Sequence, residues 1–269
     1  MYKRLNIRQF YRPLQPAVSG TNGKVTYSEI QPDERLQDFI YCYWQLQTNE
    51  ELEDSFCYRV VADGCIDIFF EFENPDESYV MGFSNRFAEF SLGKSFNYVG
   101  IRFLPTAFAE LFEINVSELT NVSESLGNVI PETAVFISGN MHRQMALIDQ
   151  KQILDQYFCN HIYQSIIEGD HRIWNALHLI LANRGDIQLS KDLDAGVSPR
   201  QLRRLFKQKI GGTVKTFSRI VRFQHTLELV QGDKLSGSEF FDAGYYDQSH
   251  FIKEFNQLYG KTPSEVLVS

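Results

Sequence analysis

Gly196-Val197-Ser198-Pro199-Arg200-Gln201-Leu202-Arg203-Arg204-Leu205-Phe206 reads as the start of a short basic amphipathic helix, and its pattern recurs 49 positions later. The shift places Ser198 on Asp247, Leu202 on Phe251, Arg204 on Lys253, Phe206 on Phe255, Gly211 on Gly260 and Thr213 on Thr262. Ser198 and Asp247 are N-cap residues, whose side-chain oxygens accept from the free N–H groups of a first helical turn. Pro199 at the first helical position and Gln201 two residues on complete a capping box in the first copy. Each copy then has an apolar residue four positions after the cap and a Phe eight after it, one buried stripe, and a glycine that ends the helix. Upstream lie short apolar segments and glycine turns, Leu189 to Gly196 and Phe240 to Gly244, so each copy is a helix-turn-helix unit. Phe217, Ile220, Val221 and Leu227 mark a longer helix, Lys215 to Val230, between the copies.

The stripe leaves Arg200, Arg203, Arg204 and Lys207 exposed on the first helix, and Gln248, Ser249 and Lys253 on the second. Arginine's planar fork matches guanine O6 and N7, glutamine can pair with adenine, and lysine neutralises phosphate or meets guanine. A solvated charged face explains any one of these residues. Four basic residues on one capped helix, repeated in register, favour a recognition surface.

These stretches, with Ala243-Gly244-Tyr245-Tyr246-Asp247-Gln248-Ser249-His250-Phe251 and Gly260-Lys261-Thr262-Pro263-Ser264, resemble the AraC/XylS family of bacterial transcription regulators over about Ile173 to Val268. The resemblance implies that each unit lays its second helix in a major groove. Arg200, Arg203, Arg204, Gln248, Ser249 and Lys253 would read bases, with Ser198, Gln201 and Lys207 in the same DNA-facing set and Arg222 at a phosphate. It also implies double-stranded promoter DNA and RNA polymerase as partners, with activation and repression of transcription both open. Three departures from the family pattern stand out: Asp194 and Ala195 lengthen the first turn, Phe240 replaces a small residue, and Val214 replaces the proline matched by Pro263.

Charge supports that division. The 269 residues carry a net charge of -8, but residues 1 to 170 hold 12 Lys and Arg against 24 Asp and Glu, whereas residues 171 to 269 hold 14 against 10. A polyanion-binding surface is thereby localised to the end of the chain. With 43% hydrophobic and 14% aromatic residues, the chain can bury a core for two domains, expected at 1–166 and 171–269 with a linker at Ile167-Glu168-Gly169-Asp170.

The first part is strand-rich. Ile66, Ile68, Phe70 and Phe72 alternate with Asp67, Phe69 and Glu71, and Tyr41–Leu46, Tyr58–Val61, Tyr79–Phe83 and Tyr98–Phe103 are aromatic and β-branched. Helical spacing follows at Phe108, Leu111 and Phe112 and at Leu154, Phe158, Ile162 and Ile166. The expected fold is therefore α+β in two domains: a small barrel with flanking helices, then an all-α domain with two helix-turn-helix units joined by a long helix. Gly64 to Phe72 and Gly100-Ile101-Arg102-Phe103 resemble a cupin-like sensor domain of the DUF6597 type. Phe39, Tyr41, Tyr43, Trp44, Phe69 and Phe70 suit either an effector pocket or plain core. Arg59 and Arg102 could meet a ligand carboxylate or an internal Asp, while Asp63, Asp67, Glu71 and Glu73 are expected to face solvent. Helices between Met141 and Ile166 are candidates for a homodimer seam.

Other chemistries find little support. All six histidines follow residue 141, so the strand-rich part lacks the histidines of a metal-dependent cupin enzyme. Cys42, Cys57, Cys65 and Cys159 make no C-x-x-C pair, which leaves no zinc, redox or alkylation-repair signature. Hydrolase, nucleotide and dinucleotide motifs are absent, and no catalytic residue, metal or cofactor is expected. No run has the roughly 18 apolar residues of a membrane span, and Met1 to Gln9 is no signal core, so a cytoplasmic location is expected. The remaining alternatives are a ligand-binding protein that uses its helix-turn-helix units for protein contacts and, more remotely, an enzyme in the first domain.

Overall fold

The alternation at Ile66 to Glu71 forms a strand, β4 (Ile66–Glu71), whose Ile66, Ile68 and Phe70 are buried on one face. In the computed structural model, which describes residues 7–16, 18, 21–141, 145–164, 169–187, 196–231, 245 and 247–267, β4 is an inner strand of a six-stranded sheet. The order is β1 (Val25–Ile30), β2 (Ile40–Thr48), β7 (Asn97–Phe103), β4, β5 (Asn74–Met81) and β8 (Ser123–Ser125), every pair antiparallel. A separate ribbon pairs β3 (Cys57–Val60) with β6 (Ala88–Ser91). The expected barrel is not closed among the described residues, because β1 and β8 do not pair. With only three residues, β8 offers too short an edge to complete a cylinder.

Period two gives this sheet two different faces. One face (Ile40, Tyr43, Ile68, Phe70, Val99, Ile101, Phe103) belongs to the main core. It is covered by α1 (Ala107–Leu111) and α4 (Leu147–Gln164), with the Phe103 and Phe158 rings 5.6 Å apart and Tyr43 donating to Asp155 at 2.9 Å. Between them run α2 (Leu126–Val129) and α3 (Pro131–Asn140). The other face presents Cys42, Trp44, Leu46, Asp67, Phe69, Tyr98 and Arg102 toward the ribbon. Gly100 permits this packing, since a Cβ there would stand 2.0 Å from the Trp44 ring.

The second face corrects an expectation. Asp63 and Asp67 do not face solvent, and their side chains are 11% and 13% exposed around Arg102. Glu71 is half-buried and Glu73 exposed, so the strand pattern assigned sides correctly, but the ribbon covers the side that alternation alone leaves open.

The last third is helical: α5 (His171–Ala182), α6 (Pro199–Lys209), α7 (Val214–Gln231), α8 (Gln248–Tyr259) and α9 (Pro263–Leu267). Asp170 caps α5, and Gly185 at φ 78° follows it, as the apolar face Ile173, Leu177, Ile180 and Leu181 implied. Val214 opens α7 behind a capping Thr213, whose Oγ1 accepts from Thr216 N at 3.1 Å. Leu189 to Ala195, Phe240 to Gly244 and Ile166 to Glu168 lie outside the described residues. They include the upstream helix of each expected unit, the lengthened first turn, Phe240 and half the linker.

A single apolar cluster runs through both parts of the chain. Buried Gln224 of α7 donates to the carbonyls of Ala62 (2.8 Å) and Leu14 (3.2 Å) and accepts from Leu14 N (2.7 Å). Ala62 N donates to Leu258 O at 3.2 Å, Thr120 Oγ1 to Gly211 O at 2.5 Å, and Trp174 Nε1 to Glu110 Oε1 at 3.0 Å. Buried amides and carbonyls satisfied across a boundary in this way hold the two parts in register.

Candidate functional site

Local sequence builds α6 as expected. Ser198 Oγ accepts from Gln201 N at 3.3 Å while Gln201 Oε1 accepts from Ser198 N at 3.2 Å, the reciprocal capping box. Leu202, Leu205 and Phe206 are buried, and Gly211 at φ 97° turns the chain out of the helix. In α8, Asp247 Oδ1 accepts from His250 N at 2.7 Å, Phe251, Phe255 and Leu258 are buried, and Gly260 at φ 85° ends the helix. Capping of this kind contributes about 1 kcal/mol per helix.

The structure leaves Ser198, Arg200, Gln201, Arg203, Arg204 and Lys207 exposed on α6, and Gln248, Ser249 and Lys253 exposed on α8. Among the described residues, no hydrogen bond or ion pair engages the side chains of Arg200, Arg203, Arg204, Lys207 or Lys253. A cation in this state can meet a phosphate or a base edge without first breaking an internal pair.

Arg222 is placed differently. Its guanidinium is 14% exposed, pairs with Glu254 at 3.0 Å and lies 4.7 Å from the Tyr245 ring centroid. Arg219, also on α7, pairs with the same carboxylate at 2.7 Å and donates to Gln257 at 3.0 Å. Glu254, 2% exposed, thus ties α8 to α7 through two arginines. The sequence reading missed it, although a carboxylate at position 254, between Phe251 and Phe255 on an otherwise apolar stripe, signals a buried ion pair.

Two aromatic residues of the sheet domain touch the ends of these helices. The segment joining β5 to β6 carries Phe83, fully buried, and Phe87. A Cβ on Gly212 would stand 2.5 Å from Phe83 Cε1, and one on Gly260 2.7 Å from Phe87 Cδ2. Phe87 N also donates to Gln257 O at 3.3 Å. No local pattern signals these contacts.

A cavity of about 420 Å³ opens between the sheet's second face and the ribbon. Its aromatic walls are Trp44, Tyr58, Phe69, Tyr79, Phe90 and Tyr98. Trp44 and Phe69 therefore do line a pocket, whereas Phe39, Tyr43 and Phe70 belong to the main core. Arg102 at its floor meets Asp67 (3.1 Å), Asp63 (3.3 Å) and Glu29 (3.4 Å), the internal outcome of the two weighed for that arginine. Arg59 likewise pairs with Glu89 at 2.5 Å. Desolvation, with Asp63 alongside, pushes the Asp67 carboxyl up to about 6 despite Arg102. Among the described residues there is no metal-ligating cluster of three or more His, Cys, Asp or Glu, and no helix is long and apolar enough to cross a membrane.

Two domain families match separate parts of the chain. A helix-turn-helix domain family matches residues 194–268, and a domain family of unknown function, DUF6597, matches residues 28–125. Over 74 residues the chain is 38% identical to the HTH-type transcriptional regulator GlxA of Rhizobium meliloti (strain 1021), an alignment covering 27% of this chain and 22% of that protein. The chain thus matches about a fifth of that curated relative's length. Among solved structures, ToxT from Vibrio cholerae aligns with a TM-score of 0.40 at 14% identity, over 91% of this chain and 96% of that one. Wild-type ToxT of the same species bound to an unsaturated fatty acid gives 0.41 at 12%, over 90% and 94%. Both likenesses are too distant to carry an argument. The chain thus carries a DUF6597 domain followed by an AraC-type helix-turn-helix domain, and the match at 194–268 spans the residues that cap and expose α6 and α8.

Proposed function

We propose that the protein reads promoter DNA with two recognition helices, α6 and α8, inserted in successive major grooves about 34 Å apart on one face of the duplex. The observation that carries this reading is the contrast in charge. Arg200, Arg203, Arg204, Lys207 and Lys253 are exposed and unengaged among the described residues, whereas the arginines of the connecting helix share a buried carboxylate. Arg200, Arg203, Arg204, Gln248, Ser249 and Lys253 are assigned to base edges, with Ser198, Gln201 and Lys207 beside them. A phosphate contact by Arg222 would share its guanidinium with Glu254. The domain limits 1–166 and 171–269, RNA polymerase as a partner, and a homodimer across α4, where Ile148 and Tyr163 are exposed, belong to the same proposal.

Control by an effector has a physical route. Tyr79 and Met81 of β5 and Glu89 and Phe90 of β6 line the cavity, and the segment between these strands rests Phe83 on Gly211 and Gly212 and Phe87 on Gly260. A ligand that spreads the ribbon from the sheet would move the supports of both recognition helices together, coupling the two sites through one segment.

The experiment is selection of bound fragments from genomic DNA by the purified protein, with a variant carrying Arg200→Ala, Arg204→Ala and Lys253→Ala as the control. A recurrent motif of two blocks about one helical turn apart, lost in the variant, is the expected result. Binding that ignores salt, or no enrichment with or without cell extract, would favour a helix-turn-helix domain turned to protein contacts.

A further inference from the structure

The cavity between sheet and ribbon combines aromatic walls with an excess of carboxylates. Phe69 links the aromatic lining, its ring centroid 6.5 Å from Trp44, 5.5 Å from Tyr79, 6.4 Å from Tyr98 and 6.5 Å from Phe90. The interplanar angles are 29° and 26° to Trp44 and Tyr79 but 64° and 65° to Tyr98 and Phe90, so Phe69 stacks with the first two and meets the others edge-on. Aromatic faces carry negative charge density.

The single guanidinium lining the cavity is already committed. Arg102 is 3% exposed, and its nitrogens are directed at Asp67, Asp63 and Glu29. Asp63 and Glu29 hold Arg102 from outside the lining, so within the cavity Asp67, Glu77 and Glu89 stand against one guanidinium. Trp44 Nε1 donates to Asp67 at 2.9 Å, which also removes the indole N–H as a donor for a ligand. Glu77 adds an exposed carboxylate at the mouth. Glu89, the other lining carboxylate, is paired with Arg59. An anionic ligand would have to enter this field and displace a carboxylate from Arg102 to gain a partner. A cation meets aromatic faces and uncompensated negative charge without displacing anything.

We propose that this cavity binds a small organic cation, an ammonium-bearing ligand whose positive head lies among Trp44, Phe69 and Tyr79 and is balanced by Asp67 and Glu77. This assignment rests on reading the first domain as the sensor and gives that sensor a ligand chemistry. Its apolar walls accept the hydrocarbon part, and the volume of about 420 Å³ suits a ligand the size of a substituted aromatic amine.

The test is calorimetric titration of the full chain with three probes of matched size: benzyltrimethylammonium, the neutral ketone 4-phenyl-2-butanone and the anion 4-phenylbutyrate. The expected result is binding of the cation about tenfold or more tighter than the ketone, with the carboxylate weakest. Phe69→Leu should weaken cation binding about tenfold, and Glu77→Gln, on the exposed rim, about two- to fivefold while leaving the ketone unaffected. Equal affinity for cation and ketone, preference for the carboxylate, or no binding of the cation at millimolar concentration would each overturn the assignment. Operator binding is measured separately. Selective cation binding that leaves DNA affinity unchanged would uphold the assignment and refute effector control, whereas effector control by an anion would do the reverse.

Discussion

Replacing Phe83 with Ala tests whether the two parts of the chain are fastened where the structure places the contact. The ring is fully buried, and it abuts backbone: a Cβ on Gly212 would lie 2.5 Å from Cε1 and one on Gly211 2.9 Å from the Phe83 Cβ. Truncating a buried Phe to Ala costs about 3–5 kcal/mol, transfer free energy plus the cavity left behind. The glycine walls have no side chains that could collapse into the void, so the upper half of that range applies. Because the ring belongs to both parts, the loss falls on their docking as well as on global stability. About 4 kcal/mol corresponds to nearly a thousandfold rise in the undocked population. Native-state hydrogen exchange reads this directly. Ile210 N and Gly211 N, bonded to Phe206 O at 2.9 and 3.1 Å, and Asn121 N, bonded to Phe83 O at 2.9 Å, should lose protection together. Gly212→Ala, which drives a methyl group into the same ring from the helical side, should reproduce the loss. Faster exchange confined to Asn121 and the sheet, with Ile210 and Gly211 unchanged, would show that Phe83 is core of the sheet domain only and would refute the coupling route through it.

Arg204→Ala is expected to cost about 1–3 kcal/mol of specific binding and to relax base preference at one position, measured by titrating operator variants, whereas Lys207→Ala should reduce the salt slope by about 1 with little change in preference. Glu254→Gln removes the carboxylate shared by Arg219 and Arg222; with both guanidiniums partly exposed, a cost of about 2 kcal/mol is expected in urea denaturation, and the second half-site should be lost from footprints before the first. The Asp67 carboxyl, faced by Arg102, Asp63, Glu29 and the Trp44 indole, titrates near 6 in the folded chain against an ordinary 3.8. The native state therefore holds this proton longer than the unfolded one, and that contribution to stability is lost as pH rises from about 4 through 6. The stability of Asp67→Asn minus that of wild type should accordingly shift toward the variant, by up to about 3 kcal/mol, between pH 4 and 7 in denaturation curves. A flat difference would place the Asp67 titration at its ordinary value.

Sequence by itself determined α6 and α8, because everything that defines them is local. A cap and its partner lie three residues apart, a stripe repeats every three or four, and a glycine takes positive φ where the helix must stop. The same locality gave the strand faces from Ile66 to Phe70. Tertiary structure alone decided what covered the second face of that sheet, since the ribbon of β3 and β6 arises from strands about thirty residues apart. That covering turned Asp67 from an expected solvent carboxylate into a buried partner of Arg102, and it enclosed the aromatic cavity. Tertiary structure also decided whether Arg222 keeps its charge to itself, because Glu254 reaches it from another helix. It seated Phe83 and Phe87 on glycines more than a hundred residues away. Alternation and periodicity report which side of an element is apolar. They carry no information about which distant segment will meet it, and there the charge of a buried group, and with it the chemistry of a site, is settled.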